Sequence, residues 1–154
     1  MNIPNVLTVM RLILVPLFLV VVFSNIPNAI WIALLIFLIA GLTDVLDGHL
    51  ARKYHMVTKQ GSVLDPLADK LMSIAVLFSI TMKNFIPVWV LSTLVIKETL
   101  LILGGIILYK RGKYLPARPY GKAATVSMYI AVVTVLFSRN LGLIFMYITV
   151  GLAL

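Results

Sequence analysis

Apolar residues come in six long runs along this chain, separated by five short polar breaks. The first run, residues 6–23, follows Pro4 and Asn5 and has Thr8 in its opening turn, all helix entry signals. Residues 24–28 read as a turn, and 29 to about 51 as a second helix, with Trp31 as an interfacial anchor. A polar, basic loop is expected over 52–61. A third helix follows over 65–82, with Pro66 in its first turn. Residues 83–87 form the next turn, 88–109 a fourth helix, 110–122 a second basic loop, 123–137 a fifth helix and 140–154 a sixth. A helix satisfies its own backbone in hydrocarbon, so runs of this kind are predicted to cross a bilayer. The sixth reaches only about 20 Å against a core of roughly 30 Å, so it thins the bilayer or is completed by a partner. Arg11 interrupts the first run and is expected to snorkel to the interface, and Pro16 to kink the span.

Composition makes the membrane reading firm. Of 154 residues, 62% are hydrophobic, and mean hydropathy is +1.10. A soluble domain of this size cannot hide that much apolar surface. The expected fold is therefore all-α: one integral membrane domain over 1–154, built as a six-transmembrane-helix bundle, with no internal repeat. The first run lacks a charged start and a small-residue cleavage site, so it reads as a span and not as a cleaved signal peptide. There is no cysteine, which excludes disulfides and thiolate metal sites. The formal net charge is +8. In a soluble chain that points to nucleic acid; here it points to anionic lipid headgroups or phosphorylated substrates.

Loop charge sets the orientation. Arg52, Lys53, Lys59, Lys110, Arg111, Lys113, Arg118 and Lys122 fall in the two loops that share one side, whereas the opposite loops carry only Lys83 and Arg139. The positive-inside rule places the basic loops and the N-terminus in the cytoplasm.

The chain has five acidic residues, and four of them, Asp44, Asp47, Asp65 and Asp69, stand on two successive spans at that same boundary. Asp44 and Asp47 share a helix face, as do Asp65 and Asp69. Sequential helices joined by a short loop are antiparallel neighbours, so the four carboxylates can converge. Uncompensated, they would repel one another. One divalent cation, or a pair about 3.5–4 Å apart, removes the conflict, and all-oxygen ligands favour Mg²⁺ or Mn²⁺. Gly48 lets a phosphate approach the backbone, and Arg52, one turn on, can grip a pyrophosphate bidentately. The plainer alternative is a set of interfacial acids paired with Arg52, Lys53, Lys59 and Lys70. A third is a small cation transporter, which would place its acids near the midplane, not at one boundary.

Asp44, Asp47-Gly48, Ala51-Arg52, Gly61, Asp65 and Asp69 match, at every spacing, the signature D-x2-D-G-x2-A-R-x8-G-x3-D-x3-D. On these residues the chain resembles the CDP-alcohol phosphotransferases, which displace CMP from a CDP-linked lipid by an alcohol. The resemblance implies two metal ions held by Asp44, Asp47, Asp65 and Asp69, with Asp69 also the base for the attacking hydroxyl. It implies that Gly48, Arg52 and Thr58 contact the cytidine diphosphate, that Pro4 and Asn5 line the nucleotide site, and that the protein is a homodimer.

The opening N-I-P-N-V-L-T-V-M-R and the run L-D-P-L-A-D-K are similar to phosphatidylglycerophosphate synthases, which use CDP-diacylglycerol and glycerol 3-phosphate. Lys97, Arg118 and Lys122 are the cations expected to hold the acceptor's phosphate. Those enzymes usually carry Arg-Glu in the fourth span, where this chain has Lys97-Glu98. The charge is kept and the planar fork lost. Lys97 and Glu98 can also serve as an internal salt bridge within the membrane. Cardiolipin-forming members carry a similar L-D-P-L-A-D-K, so phosphatidylglycerol is the alternative acceptor. His49 and His55 fall at variable positions of the signature, and Gly104-Gly105 reads as helix packing.

Overall fold

The computed structural model describes residues 3–53, 61–110 and 119–153, with side-chain surroundings given for 6–46, 64, 67–100, 103, 104 and 123–152. Six helices run through these residues and no strand occurs among them: α1 (Ile3–Phe23), α2 (Ala29–Lys53), α3 (Gly61–Met82), α4 (Val88–Lys110), α5 (Pro119–Phe137) and α6 (Arg139–Ala153). Among the described residues, the breaks at 24–28, 83–87 and 138 fall where the sequence puts them, but most helices start or end beyond their apolar runs. α1 takes in Pro4 and Asn5, so these lie in its first turn and do not precede it. α2 absorbs Arg52 and Lys53, and α3 begins at Gly61, which moves Pro66 out of the first turn. α5 begins at Pro119 and takes Lys122 out of the basic loop. Helix geometry continues into polar sequence because backbone bonding does not depend on hydropathy.

The chain divides into two compact units, residues 1–79 and 80–154. In the first, α1 and α2 form a hairpin. Its turn is closed by Asn28, whose positive φ of 61° suits asparagine, and by the bonds from Trp31 N and Ile32 N to Asn28 O at 2.9 and 3.1 Å. Phe18, Val21 and Val22 of α1 are buried, as are Ala29, Ala33, Ile36, Phe37 and Ala40 of α2. The alanines let the two backbones approach. α3 returns along the unit: Phe78 meets Phe23 edge-on, ring centroids 6.1 Å apart. Ala68, Met72, Ala75 and Val76 are the buried stripe of α3.

The second unit opens on the cap of α3. Phe85 N bonds Ile80 O and Asn84 N bonds Thr81 O, both at 2.9 Å, with Asn84 at φ 60°, a Schellman arrangement in which asparagine takes the left-handed position. α5 and α6 are separated only by Ser138, whose carbonyl accepts from Gly142 N at 3.0 Å. Ala124, Met128, Ala131, Val132 and Val135 of α5 are buried, as are Met146 and Val150 of α6. Ser127 Oγ donates to Phe145 O at 3.2 Å, and Thr149 Oγ1 lies 2.9 Å from Ser127 Oγ, joining the two helices through buried hydroxyls. Trp89 of α4 stacks on Tyr147 of α6 at 5.6 Å.

Among the described residues, two helices hold stretches long and apolar enough to cross a membrane, Val6–Phe23 and Ala29–Leu46. Only 28% and 22% of these stretches are buried, unlike the core helix of a soluble protein. Ile13, Leu17, Val20, Leu35, Leu42 and Val45 face outward, an apolar surface suited to lipid. The hydroxyls of Thr43 and Ser79 bond back to carbonyls three and four residues earlier at 2.7 and 2.8 Å, which satisfies them without water.

Candidate active site

The site starts from the register of the first hairpin. Ala33, Phe37 and Ala40 mark one face of α2 at helical spacing, and Asp44 is the next position on it. On α1, Thr8, Arg11 and Phe18 are buried. The two faces meet at Arg11 and Asp44, where Nη1 donates to Oδ1 at 2.6 Å. This corrects the expectation for Arg11. It is 1% exposed, and it does not snorkel outward but ends on a carboxylate inside the unit. Asp44 is the open partner of the pair, with its side chain 41% exposed.

Asp69 stands on α3 with its side chain 21% exposed. Counted back from the Phe23–Phe78 contact, Asp69 is about 13 Å along α3 and Arg11 about 18 Å along α1. Asp69 and the Arg11–Asp44 pair therefore belong to the half of the unit away from that contact. Lys70 Nζ lies 4.0 Å from Asp69 Oδ2. That is long for an ion pair, and successive helix positions do not face each other.

Asp47, Gly48 and Arg52 lie on α2, Asp65 on α3, Pro4 and Asn5 on α1 and Lys122 on α5; for these the structure describes the backbone helix alone. Thr58 and Arg118 lie outside the described residues. Among the described residues no three acidic or histidine side chains come together. Asp44 makes its described ion pair through one oxygen only. An exposed carboxylate with its second oxygen uncommitted is a donor of the kind hard divalent cations take.

In the second unit, Lys97 Nζ and Glu98 Oε1 are 2.9 Å apart, with side chains 19% and 13% exposed. The internal salt bridge that the sequence allows is thus formed. Sequence reasoning missed the pairing of Arg11 with Asp44. The available signal was its distance from the turn, since the midpoint between positions 11 and 44 falls within residues 24–28.

Comparisons with known proteins bear on the chain's family. The family model described as CDP-alcohol phosphatidyltransferase matches residues 1–154. A cardiolipin synthase (CMP-forming) of Streptomyces coelicolor is 35% identical over 147 residues, 92% of this chain and 68% of the relative. A CDP-diacylglycerol–glycerol-3-phosphate 3-phosphatidyltransferase of Bacillus subtilis is 32% identical over 143 residues, covering 85% of this chain and 74% of the relative. One of the same name in Haemophilus influenzae is 50% identical over 76 residues, 49% of this chain and 41% of the relative. With its signature intact and its whole length matched, the chain belongs to the CDP-alcohol phosphatidyltransferase family.

Proposed function

We propose that this chain transfers the phosphatidyl group of CDP-diacylglycerol to glycerol 3-phosphate, releasing CMP and forming phosphatidylglycerol phosphate. The observation that carries this is the complete acidic signature from Asp44 to Asp69, in a chain similar to relatives named for that reaction. The setting we propose is a single six-span membrane domain, multi-pass in the cell membrane, with its active site facing the cytoplasm and a homodimer as its assembly.

The family is generally divalent-metal dependent. Asp44, Asp47, Asp65 and Asp69 are the residues that would hold Mg²⁺ or Mn²⁺, in a two-ion site. Such ions would neutralise the pyrophosphate and stabilise CMP as a leaving group. The protein's own groups do the rest. Arg52 grips the pyrophosphate, Gly48 leaves room beside it, Thr58 also contacts the cytidine diphosphate, and Pro4 and Asn5 line the nucleotide site. Lys97, Arg118 and Lys122 hold the acceptor's phosphate. The Lys97 ammonium has three donors, so its bond to Glu98 leaves capacity for a phosphate oxygen. The acceptor hydroxyl oxygen bonds to the phosphatidyl phosphorus as the bond from that phosphorus to CMP breaks. Asp69 takes the hydroxyl proton, and CMP leaves with the electron pair.

The second reading, phosphatidylglycerol as acceptor, is favoured by the likeness to the Streptomyces cardiolipin synthase. Purified protein in lipid nanodiscs, supplied with CDP-diacylglycerol and each acceptor in turn, separates the two. Metal-dependent CMP release with glycerol 3-phosphate is expected, and chelation abolishes it. Asp69→Asn lowers turnover by about 100-fold or more, the scale of general-base loss, while CDP-diacylglycerol still binds. Release with phosphatidylglycerol alone moves the assignment to the second reading. Release with neither acceptor overturns both.

A further inference from the structure

We propose that Arg11 is a positioning residue: it fixes one carboxylate oxygen of Asp44 from inside the first hairpin and so presents the other to a divalent cation. The inference rests on the reading of the aspartates as a metal site.

The geometry separates this role from mere charge balance. A guanidinium that only neutralised a carboxylate would gain most from a two-pronged fork, with both oxygens bound. Toward Asp44 the described contact takes one oxygen, Nη1 to Oδ1 at 2.6 Å. Burial is also one-sided. Arg11 is 1% exposed and Asp44 41% exposed, so the arginine is enclosed by the unit while the acid has an open side. Arg11 is reached only because the Ala33–Phe37–Ala40 face carries Asp44 toward α1. A carboxylate on a helix otherwise samples several rotamers, and one anchored oxygen removes most of them. Anchors of this type behind metal ligands are commonly worth 10–100-fold in metal affinity. Charge acts in the opposite sense, because a cation beside the site repels a metal ion. The two effects can therefore be told apart by sign.

The test is Mn²⁺ binding to purified, metal-stripped protein, followed by electron paramagnetic resonance, with thermal unfolding without metal as the check on folding. Arg11→Lys keeps the charge and loses the fixed direction; about tenfold weaker Mn²⁺ binding and a broadened bound-ion spectrum are expected. Arg11→Gln removes the charge and shortens the reach; weaker binding is expected here too. In an Asp44→Asn background, Arg11→Lys should add no further weakening, since the residue acts through Asp44. Arg11→Lys binding within twofold of the unaltered protein, or tighter binding by Arg11→Gln, overturns the inference and leaves the metal site standing. If the unaltered protein binds no Mn²⁺, the metal-site reading itself falls and this inference falls with it.

Discussion

Unequal burial across the Arg11–Asp44 pair decides which partner the fold can spare. Removing Asp44 takes a carboxylate away from a guanidinium that is 1% exposed, whereas removing Arg11 leaves a carboxylate that is 41% exposed. Breaking a fully buried pair costs about 3–5 kcal/mol, and an acid this open brings the figure down. Asp44→Asn is expected to destabilise the metal-free protein by about 2 kcal/mol, and Arg11→Met by about 1 kcal/mol or less. Thermal unfolding in detergent without metal checks the order; equal losses would mean that the pair is not held as described. The four aspartates stand out in the sequence because acids are so scarce in it. The partner of Arg11 was not, since a lone arginine in an apolar run looks the same whether it reaches water or a carboxylate. Only the register of α1 against α2 tells them apart.

At the level of elements, hydropathy located the turns among the described residues, where polar or turn-forming residues cluster: Asn28, Asn84 and Ser138 sit at them. Helix ends were less legible. Backbone bonding carries α2 through Arg52 and Lys53, and α3 starts four residues ahead of its first acid. The closeness of α5 to α6 was not legible at all. Gly142 is buried, and a Cβ built on it would meet Val135 at its Cα, Cβ and Cγ2, the last at 2.7 Å. Backbone atoms cannot swing aside as a side-chain tip does. Gly142→Ala is therefore expected to cost about 1–3 kcal/mol by overpacking, while Gly151→Ala, with nothing within 4 Å, stays near neutral. Unfolding midpoints of the two variants measured side by side check this, and a harmless Gly142→Ala would mean that the helices stand further apart.

For the molecule as a whole, loop charge makes a prediction that the absence of cysteine makes easy to test. Single cysteines at Lys59 or Lys113 should resist an impermeant thiol reagent applied to intact cells, and cysteines at Asn28 or Lys83 should react; the reverse pattern would invert the orientation. The ribosome delivers the two members of the Arg11–Asp44 pair early, on the first hairpin. Each alone opposes membrane integration, by an amount that falls from roughly 2.5–3.5 kcal/mol at a span's centre toward the boundary where Asp44 stands. Partnered across the hairpin, they enter as a dipole and not as two ions, so biogenesis favours α1 and α2 going in together, ahead of the rest of the chain.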